Sequence, residues 1–103
     1  MGKGKIAAQV GHAAVKATLK SGEVRPELLD AWLSTGQKKI CVKAEGARQI
    51  EQIEQQAKQN NILSSRNYDA GHTQIPAGSL TVLALGPDEV DKLDALTGEL
   101  KLL

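Results

Sequence analysis

The first twenty residues carry two separate stripes of side chains at helical spacing, which constrains the fold more than any other part of the sequence. The apolar stripe recurs at steps of three and four and comprises Ile6, Val10, Ala13, Ala14 and Ala17. The polar stripe has the same steps and comprises Lys5, Gln9, His12, Lys16 and Lys20. The pattern predicts a helix from about residue 4 to residue 20, ended by Ser21-Gly22. Its small alanines predict close packing against a sheet.

Three more helices follow from the same kind of pattern. The second begins at Pro26, where a missing N–H costs nothing, and stops at Gly36. Its predicted inward side chains are Leu28, Leu29, Trp32 and Leu33. The third covers residues 46–60, with a surface pair Glu54–Lys58 one turn apart. Its predicted buried stripe is Ala47, Ile50, Ile53 and Ala57. A short last helix opens at Gly86-Pro87-Asp88 and fades near Thr97.

Three segments are predicted as strands: residues 38–44, 62–69 and 80–85. The first places Ile40, Val42 and Ala44 on one face. Strand, helix and strand over 38–69 predict a right-handed crossover between parallel strands. The chain is therefore predicted to be an α/β protein, a three-layer-like sandwich with a small mixed β-sheet flanked by helices.

Composition narrows the class of protein. A chain of 103 residues forms one domain, and its 41% hydrophobic and 24% charged residues are typical of globular proteins. Trp32 and Tyr68 are its only aromatic residues, so it lacks the row of rings on which single-strand binding folds stack bases. The net charge is +1, but no acidic residue precedes Glu23, so one end is basic and suits a partner that carries phosphates.

Cysteine use and hydropathy indicate the compartment. Cys41 is the only cysteine, which excludes an internal disulfide, and its apolar neighbours predict a packed strand position. The sequence has no apolar run of membrane-spanning length and no signal peptide. We therefore expect a cytoplasmic location and no membrane partner.

The opening residues Gly2-Lys3-Gly4-Lys5-Ile6-Ala7 fit the loose dinucleotide fingerprint G-x-G-x-x-A. That fingerprint requires a strand before it and an acidic residue about 20 positions later, and the sequence supplies neither. Nucleotide cofactor binding is therefore rejected. Two alternatives stay open: an anion site at the helix N-terminus, or a frayed and solvated terminus.

Two segments carry side chains suited to acid–base chemistry. His12 shares the polar stripe with an amide and ammonium groups, where a neutral imidazole can take a proton from water, although a lone helical histidine is more often an ordinary surface or core residue. Asp69 ends a predicted strand, where it is either a turn former or a functional carboxylate, and Thr73 and Thr81 offer hydroxyl donors. The two histidines and one cysteine have no metal-ligand spacing, and no G-x-S-x-G motif is present. We expect no metal and no cofactor.

The motifs together resemble those of the type II peptidyl-tRNA hydrolases of archaea and eukaryotes. Residues 2–13 are similar to the family's G-K-G-K-x-A-A-Q-x-x-H-A signature, and residues 36–39 to its G-Q-x-K segment. Residues 69–78 resemble its D-A-G-x-T-Q loop with the following proline and glycine. Residues 85–103 resemble its ending, G-P…D-K-x-T-G-x-L-K-L-L, with Ala95 where a lysine is usual. The four motifs occur in the family's order over almost the whole chain.

The resemblance implies a sheet of four strands, the first of which, of the type V-V-R-x-D-L, would precede Gly2. It therefore predicts that these residues form one domain, 1–103, without that first strand. The family's functional residues correspond to Lys3, His12, Asp69, Thr73 and Thr81, with Gln9 beside them.

The implied reaction is hydrolysis of the ester between a peptide and the terminal ribose of tRNA. Lys3, His12, Asp69 and Thr73 are the predicted catalytic residues. The predicted substrate-binding residues, for the acceptor arm of peptidyl-tRNA, are Lys5, Gln9, Lys16, Lys38, Lys39 and Thr81. Whether Asp69 or His12 takes the proton stays open, as does a homodimer. The rival hypotheses are a non-catalytic RNA- or protein-binding module on the same fold and a small-anion binding domain.

Overall fold

The computed structural model describes residues 2–68 and 80–103. In chain order, the elements within those ranges are α1 (Lys3–Val24), α2 (Pro26–Ser34), α3 (Ala47–Gln59), β1 (Ser64–Tyr68), β2 (Leu80–Leu85) and α4 (Val90–Thr97). The four predicted helices and the strands predicted at 62–69 and 80–85 are confirmed. So is the α/β class, with a small sheet flanked by helices.

Helix α1 is longer than predicted, because Ser21-Gly22 lies inside its last turn. Ser21 is buried, its Oγ donates to Thr18 O at 2.9 Å, and its own carbonyl accepts from Arg25 N at 2.8 Å. The helix ends at Val24 because Arg25 precedes Pro26, and a residue before proline is pushed out of helical conformation. Arg25 accordingly has φ −137° and ψ 61°.

Strands β1 and β2 are antiparallel neighbours, with Ser64 opposite Leu85 and an irregularity between Asn67 and Tyr68. Successive side chains of a strand point to opposite faces of the sheet. Asn67 reaches α1, whereas Arg66 reaches α3. Helices α1 and α3 therefore cover opposite faces of the sheet.

The strand predicted at 38–44 and its parallel crossover to the next strand are wrong. Within the described ranges this segment forms a single antiparallel bridge, Val42 with Leu102, supported by Lys43 N to Lys101 O at 2.9 Å and Leu103 N to Cys41 O at 3.1 Å. Ile40 is consequently 62% exposed.

The core lies between α1, the sheet and α3. Its buried apolar residues are Ala13, Ala17, Ile53, Ala57 and Ile62. The alanines of α1 allow the close approach that the sequence predicts. Three predicted inward positions are wrong: Leu33 is exposed on α2, Cys41 is exposed beside the isolated bridge, and Ala47 is exposed in the first turn of α3.

Two backbone positions with positive φ shape the connections to the sheet. Asn61 (φ 57°) turns the chain after α3, so that Ile62 N donates back to Ala57 O at 2.8 Å. This is a helix-ending turn of the Schellman kind, and asparagine tolerates its left-handed conformation. Gly86 (φ 91°) follows β2, and its N–H donates to Leu63 O at 2.8 Å.

Candidate active site

The polar stripe of α1 lies along β1. Lys16 Nζ donates to the carbonyl oxygen of Arg66 at 2.6 Å. Two turns earlier, Gln9 Oε1 accepts from Asn67 Nδ2 at 2.6 Å. The stripe predicted from the sequence is therefore partly engaged by the protein itself, which fixes where these side chains lie.

The contacts of Lys16 and Lys20 close the outer edge of β1. Leu63 O accepts from Gly86 N, so the main-chain groups of residues 63, 65 and 67 face β2, and those of Ser64 and Arg66 face away. Lys20 Nζ reaches Ser64 O at 2.7 Å, while Lys16 takes the carbonyl two residues on. Two ammonium groups thus cover carbonyls that would otherwise present a free strand edge.

Two further predicted residues, Lys5 and His12, share this side of α1, and Lys3 opens the helix. Lys5 and His12 lie one turn before and one turn after Gln9, and Lys3 lies in the first turn. His12 and Lys3 are exposed, and Lys5 is half-buried. The helix therefore presents an imidazole, an amide and an ammonium group on one side.

Two predicted catalytic residues and one predicted substrate-binding residue fall where no side-chain position is described. Asp69 and Thr73 lie outside the described residues, and of Thr81 only the backbone, within β2, is described. Tyr68 is the residue before Asp69 in the chain. Its phenol oxygen accepts from Arg66 Nη1 at 2.7 Å, which anchors the end of β1.

Arg66 also binds the buried carboxylate of Glu54 on α3. Its Nε donates to Glu54 Oε2 at 2.6 Å, and its Nη2 bonds the other carboxylate oxygen, so the contact is bidentate. The hydrogen bond from Arg66 holds the pKa of Glu54 below its ordinary value, against the opposing effect of burial. The Glu54–Lys58 surface pair predicted from sequence is therefore not the main contact of this carboxylate, which faces the sheet instead.

Lys38 and Lys39 lie on the other flank of α1. Lys39 lines a shallow groove with Ala14, Val15, Thr18, Leu19 and Trp32. Its Nζ donates to Gln37 O at 2.7 Å and stands 5.2 Å from the centre of the Trp32 ring, close enough for a cation–π contact. The structure thus brings Gln9 and Lys16 together against β1 and separates Lys39 from them by the width of a helix.

Sequence reasoning did not single out Arg66 or Asn67, and it assigned Glu54 to a surface pair with Lys58. A strand of sequence Ser-Ser-Arg-Asn-Tyr carries a weak signal, since alternation places arginine and asparagine on opposite faces. That alternation does not tell which helix covers which face. Within residues 2–68 and 80–103, no group of three His, Cys, Asp or Glu side chains is arranged to hold a metal ion. Neither described range contains a helix with the length and apolar character needed to cross a membrane.

Comparison with known proteins defines the class. The family model described as peptidyl-tRNA hydrolase PTH2 matches residues 1–103. The chain is 44% identical to a peptidyl-tRNA hydrolase of Methanocaldococcus jannaschii over 103 residues, covering all of this chain and 90% of that protein. It is also 44% identical to that of Thermoplasma acidophilum, of which it covers 88%.

A eukaryotic relative extends the likeness beyond archaea. The mitochondrial peptidyl-tRNA hydrolase 2 of Bos taurus is 46% identical over 102 residues, which cover 99% of this chain and 57% of the bovine protein. The match covers the full chain in both the family model and the archaeal relatives. The chain belongs to the PTH2 family of peptidyl-tRNA hydrolases.

Proposed function

We propose that this protein hydrolyses the ester bond between the peptide and the tRNA of peptidyl-tRNA, releasing free peptide and reusable tRNA. The observation that carries the proposal is the match to the family over all 103 residues. The structure supports it with the row of Lys5, Gln9, His12 and Lys16 on one side of α1, beside β1, the strand that leads to Asp69.

The reaction needs an activated water, stabilisation of a developing oxyanion and a proton for the leaving ribose oxygen. In our mechanism, Asp69 and His12 act as a pair, one orienting the other. The pair takes a proton from water as its oxygen attacks the ester carbonyl carbon. The bond from that carbon to the ribose oxygen then breaks, and the proton passes to the ribose oxygen. Peptide acid and tRNA are the two products.

The other site residues bind either the ester group, where negative charge develops during the reaction, or the tRNA end of the substrate. Lys3 stabilises the oxyanion, and Thr73 and Thr81 hold the carbonyl or the ribose with their hydroxyls. Lys5, Gln9 and Lys16 bind the acceptor end along one flank of α1, and Lys38 and Lys39 contact phosphates from the other flank. Binding through lysines to phosphates releases counterions, so affinity falls as salt concentration rises.

The decisive experiment measures release of labelled peptide from a blocked aminoacyl-tRNA, with Asp69→Ala as the control. We expect turnover by the wild type and none by Asp69→Ala, whose tRNA affinity stays within about twofold because lysines supply the binding. Folded wild type that binds tRNA without releasing peptide would favour the non-catalytic module. Equal loss of binding and turnover in Asp69→Ala would contradict the role of Asp69.

Location and assembly also belong to this proposal. We propose a cytoplasmic location, in keeping with a substrate produced by translation, and leave a homodimer as a hypothesis for measurement of molecular mass in solution. The further strand that the family resemblance implies ahead of Gly2 stays a prediction.

A further inference from the structure

In the contact between Asn67 and Gln9, a nearby main-chain carbonyl shows which side-chain amide donates the hydrogen bond. Two side-chain amides can pair in either of two ways, because each has one oxygen and one nitrogen. Here the Asn67 amide also approaches the main-chain carbonyl oxygen of Gln9, with Nδ2 at 3.5 Å. A carbonyl oxygen only accepts, so the atom of Asn67 beside it must be the NH2 group.

The same NH2 group is 2.6 Å from the side chain of Gln9. A donor on Asn67 requires an acceptor on Gln9, so Gln9 turns its Oε1 toward β1. Its own NH2 group then points away from the strand. Among residues 2–68 and 80–103, Gln9 Nε2 meets no acceptor, so its two N–H donors are available to a bound group.

Lys5 lies one turn before Gln9 on α1 and His12 one turn after, so these donors belong to the row of proposed site residues. A neutral N–H donor placed there can bind the ester carbonyl oxygen, on which negative charge grows during hydrolysis. A reversed amide would present an oxygen to that charge and repel it. The orientation of one side chain therefore decides whether Gln9 helps or opposes the reaction.

We propose that Asn67 is a positioning residue, which fixes the amide of Gln9 so that its Nε2 donates to the ester carbonyl of the substrate. The inference rests on the proposed hydrolase function and on Gln9 as a substrate-binding residue. Asn67 itself does not touch the substrate. It acts through Gln9, from the neighbouring strand, where it pairs with Val82 of β2.

A double-mutant cycle separates this role from a merely structural one. Gln9→Met removes the donors at nearly constant volume, and we expect kcat/KM to fall about 10- to 100-fold. Asn67→Leu removes the donor that holds Gln9, and we expect a fall of about tenfold. The double variant should be no slower than Gln9→Met alone, because Asn67 has nothing left to position. Losses that multiply in the double variant, or a Gln9→Met variant with wild-type kcat/KM, would overturn the proposal.

A second variant and a spectroscopic measurement distinguish failure of this inference from failure of the hydrolase proposal. Gln9→Glu keeps an acceptor for Asn67 but replaces the outward NH2 with oxygen, so activity should fall as in Gln9→Met without loss of thermal stability. The side-chain NH2 resonances of Gln9 and Asn67 report the contact whether or not the protein is active. We expect Asn67→Leu to make the Gln9 amide mobile; unchanged Gln9 resonances would refute the positioning role, and an inactive wild type would refute the hydrolase function instead.

Discussion

Two guanidinium nitrogens of Arg66 bind the two carboxylate oxygens of Glu54, and this bidentate contact joins β1 to α3 across one face of the sheet. The side chain of Glu54 is 8% exposed and that of Arg66 is 37% exposed, so the carboxylate is the buried partner. Arg66 Nη1 also donates to the phenol of Tyr68 at 2.7 Å. The pair thereby fixes the end of the strand that leads to Asp69.

Removing Arg66 alone should destabilise the protein more than removing both Arg66 and Glu54. Arg66→Met leaves a buried carboxylate without its partner, and such a group is costly to bury. We expect the midpoint of thermal unfolding to fall by roughly 5–10 °C. The double variant Glu54→Met/Arg66→Met should recover at least half of that loss, because an apolar pair of similar volume needs no desolvation. Calorimetry of the three proteins tests this, and a double variant less stable than Arg66→Met would contradict it.

The Glu54–Arg66 pair also predicts how the free energy of unfolding depends on pH. The folded-state pKa of Glu54 lies below its ordinary value of 4.5, because Arg66 donates to the charged form. Between the folded and the unfolded pKa of Glu54, the unfolded chain therefore binds more protons than the folded one. The stabilisation is complete above the unfolded pKa and is lost as the pH falls through the folded pKa. We expect the free energy of unfolding to decline below about pH 4.5. Glu54→Gln should remove this part of the decline in denaturant titrations at pH 3 to 6, and an identical pH profile would exclude the effect.

Lys16 and Lys20 form a matched pair for testing substrate contacts. Both donate to outward carbonyls of β1, at 2.6 Å and 2.7 Å, but only Lys16 is a proposed substrate-binding residue. Lys16→Met should weaken tRNA binding several-fold and lower the slope of log affinity against log salt by about one. Lys20→Met should leave that slope nearly unchanged. Equal slopes in the two variants, measured by titration at several salt concentrations, would remove Lys16 from the binding surface.

Substitution by alanine should have opposite effects on stability at two glycines. Gly86 has φ 91°, and a Cβ there would stand 3.0 Å from Asp88 N, so Gly86→Ala should cost about 1–2 kcal/mol of stability. Gly11 lies within α1 with open space around an added Cβ, so Gly11→Ala should stabilise by roughly 0.5–1 kcal/mol. Denaturant unfolding of both variants checks the two signs, and a stabilised Gly86→Ala would be inconsistent with the turn after β2.

The sequence by itself determined the helices, the two strands that pair and the row of polar residues on α1. These features depend on periodicity and on local stops such as Pro26 and Gly36, which act within a few residues of the chain. It did not determine the pairing of residues 38–44, because a strand forms only where a neighbour supplies hydrogen bonds. In the described part of the chain, that neighbour is limited to the residues around Leu102.

The tertiary structure alone decided what the polar side chains of β1 do. Alternation along the strand separates Arg66 from Asn67, but only the packing of α3 on one face and α1 on the other selects Glu54 and Gln9 as their partners. Glu54 could equally have paired with Lys58 along its own helix, and burial against the sheet directed it to Arg66. Contacts between residues 12 and 58 positions apart depend on how elements dock, and no local pattern encodes that.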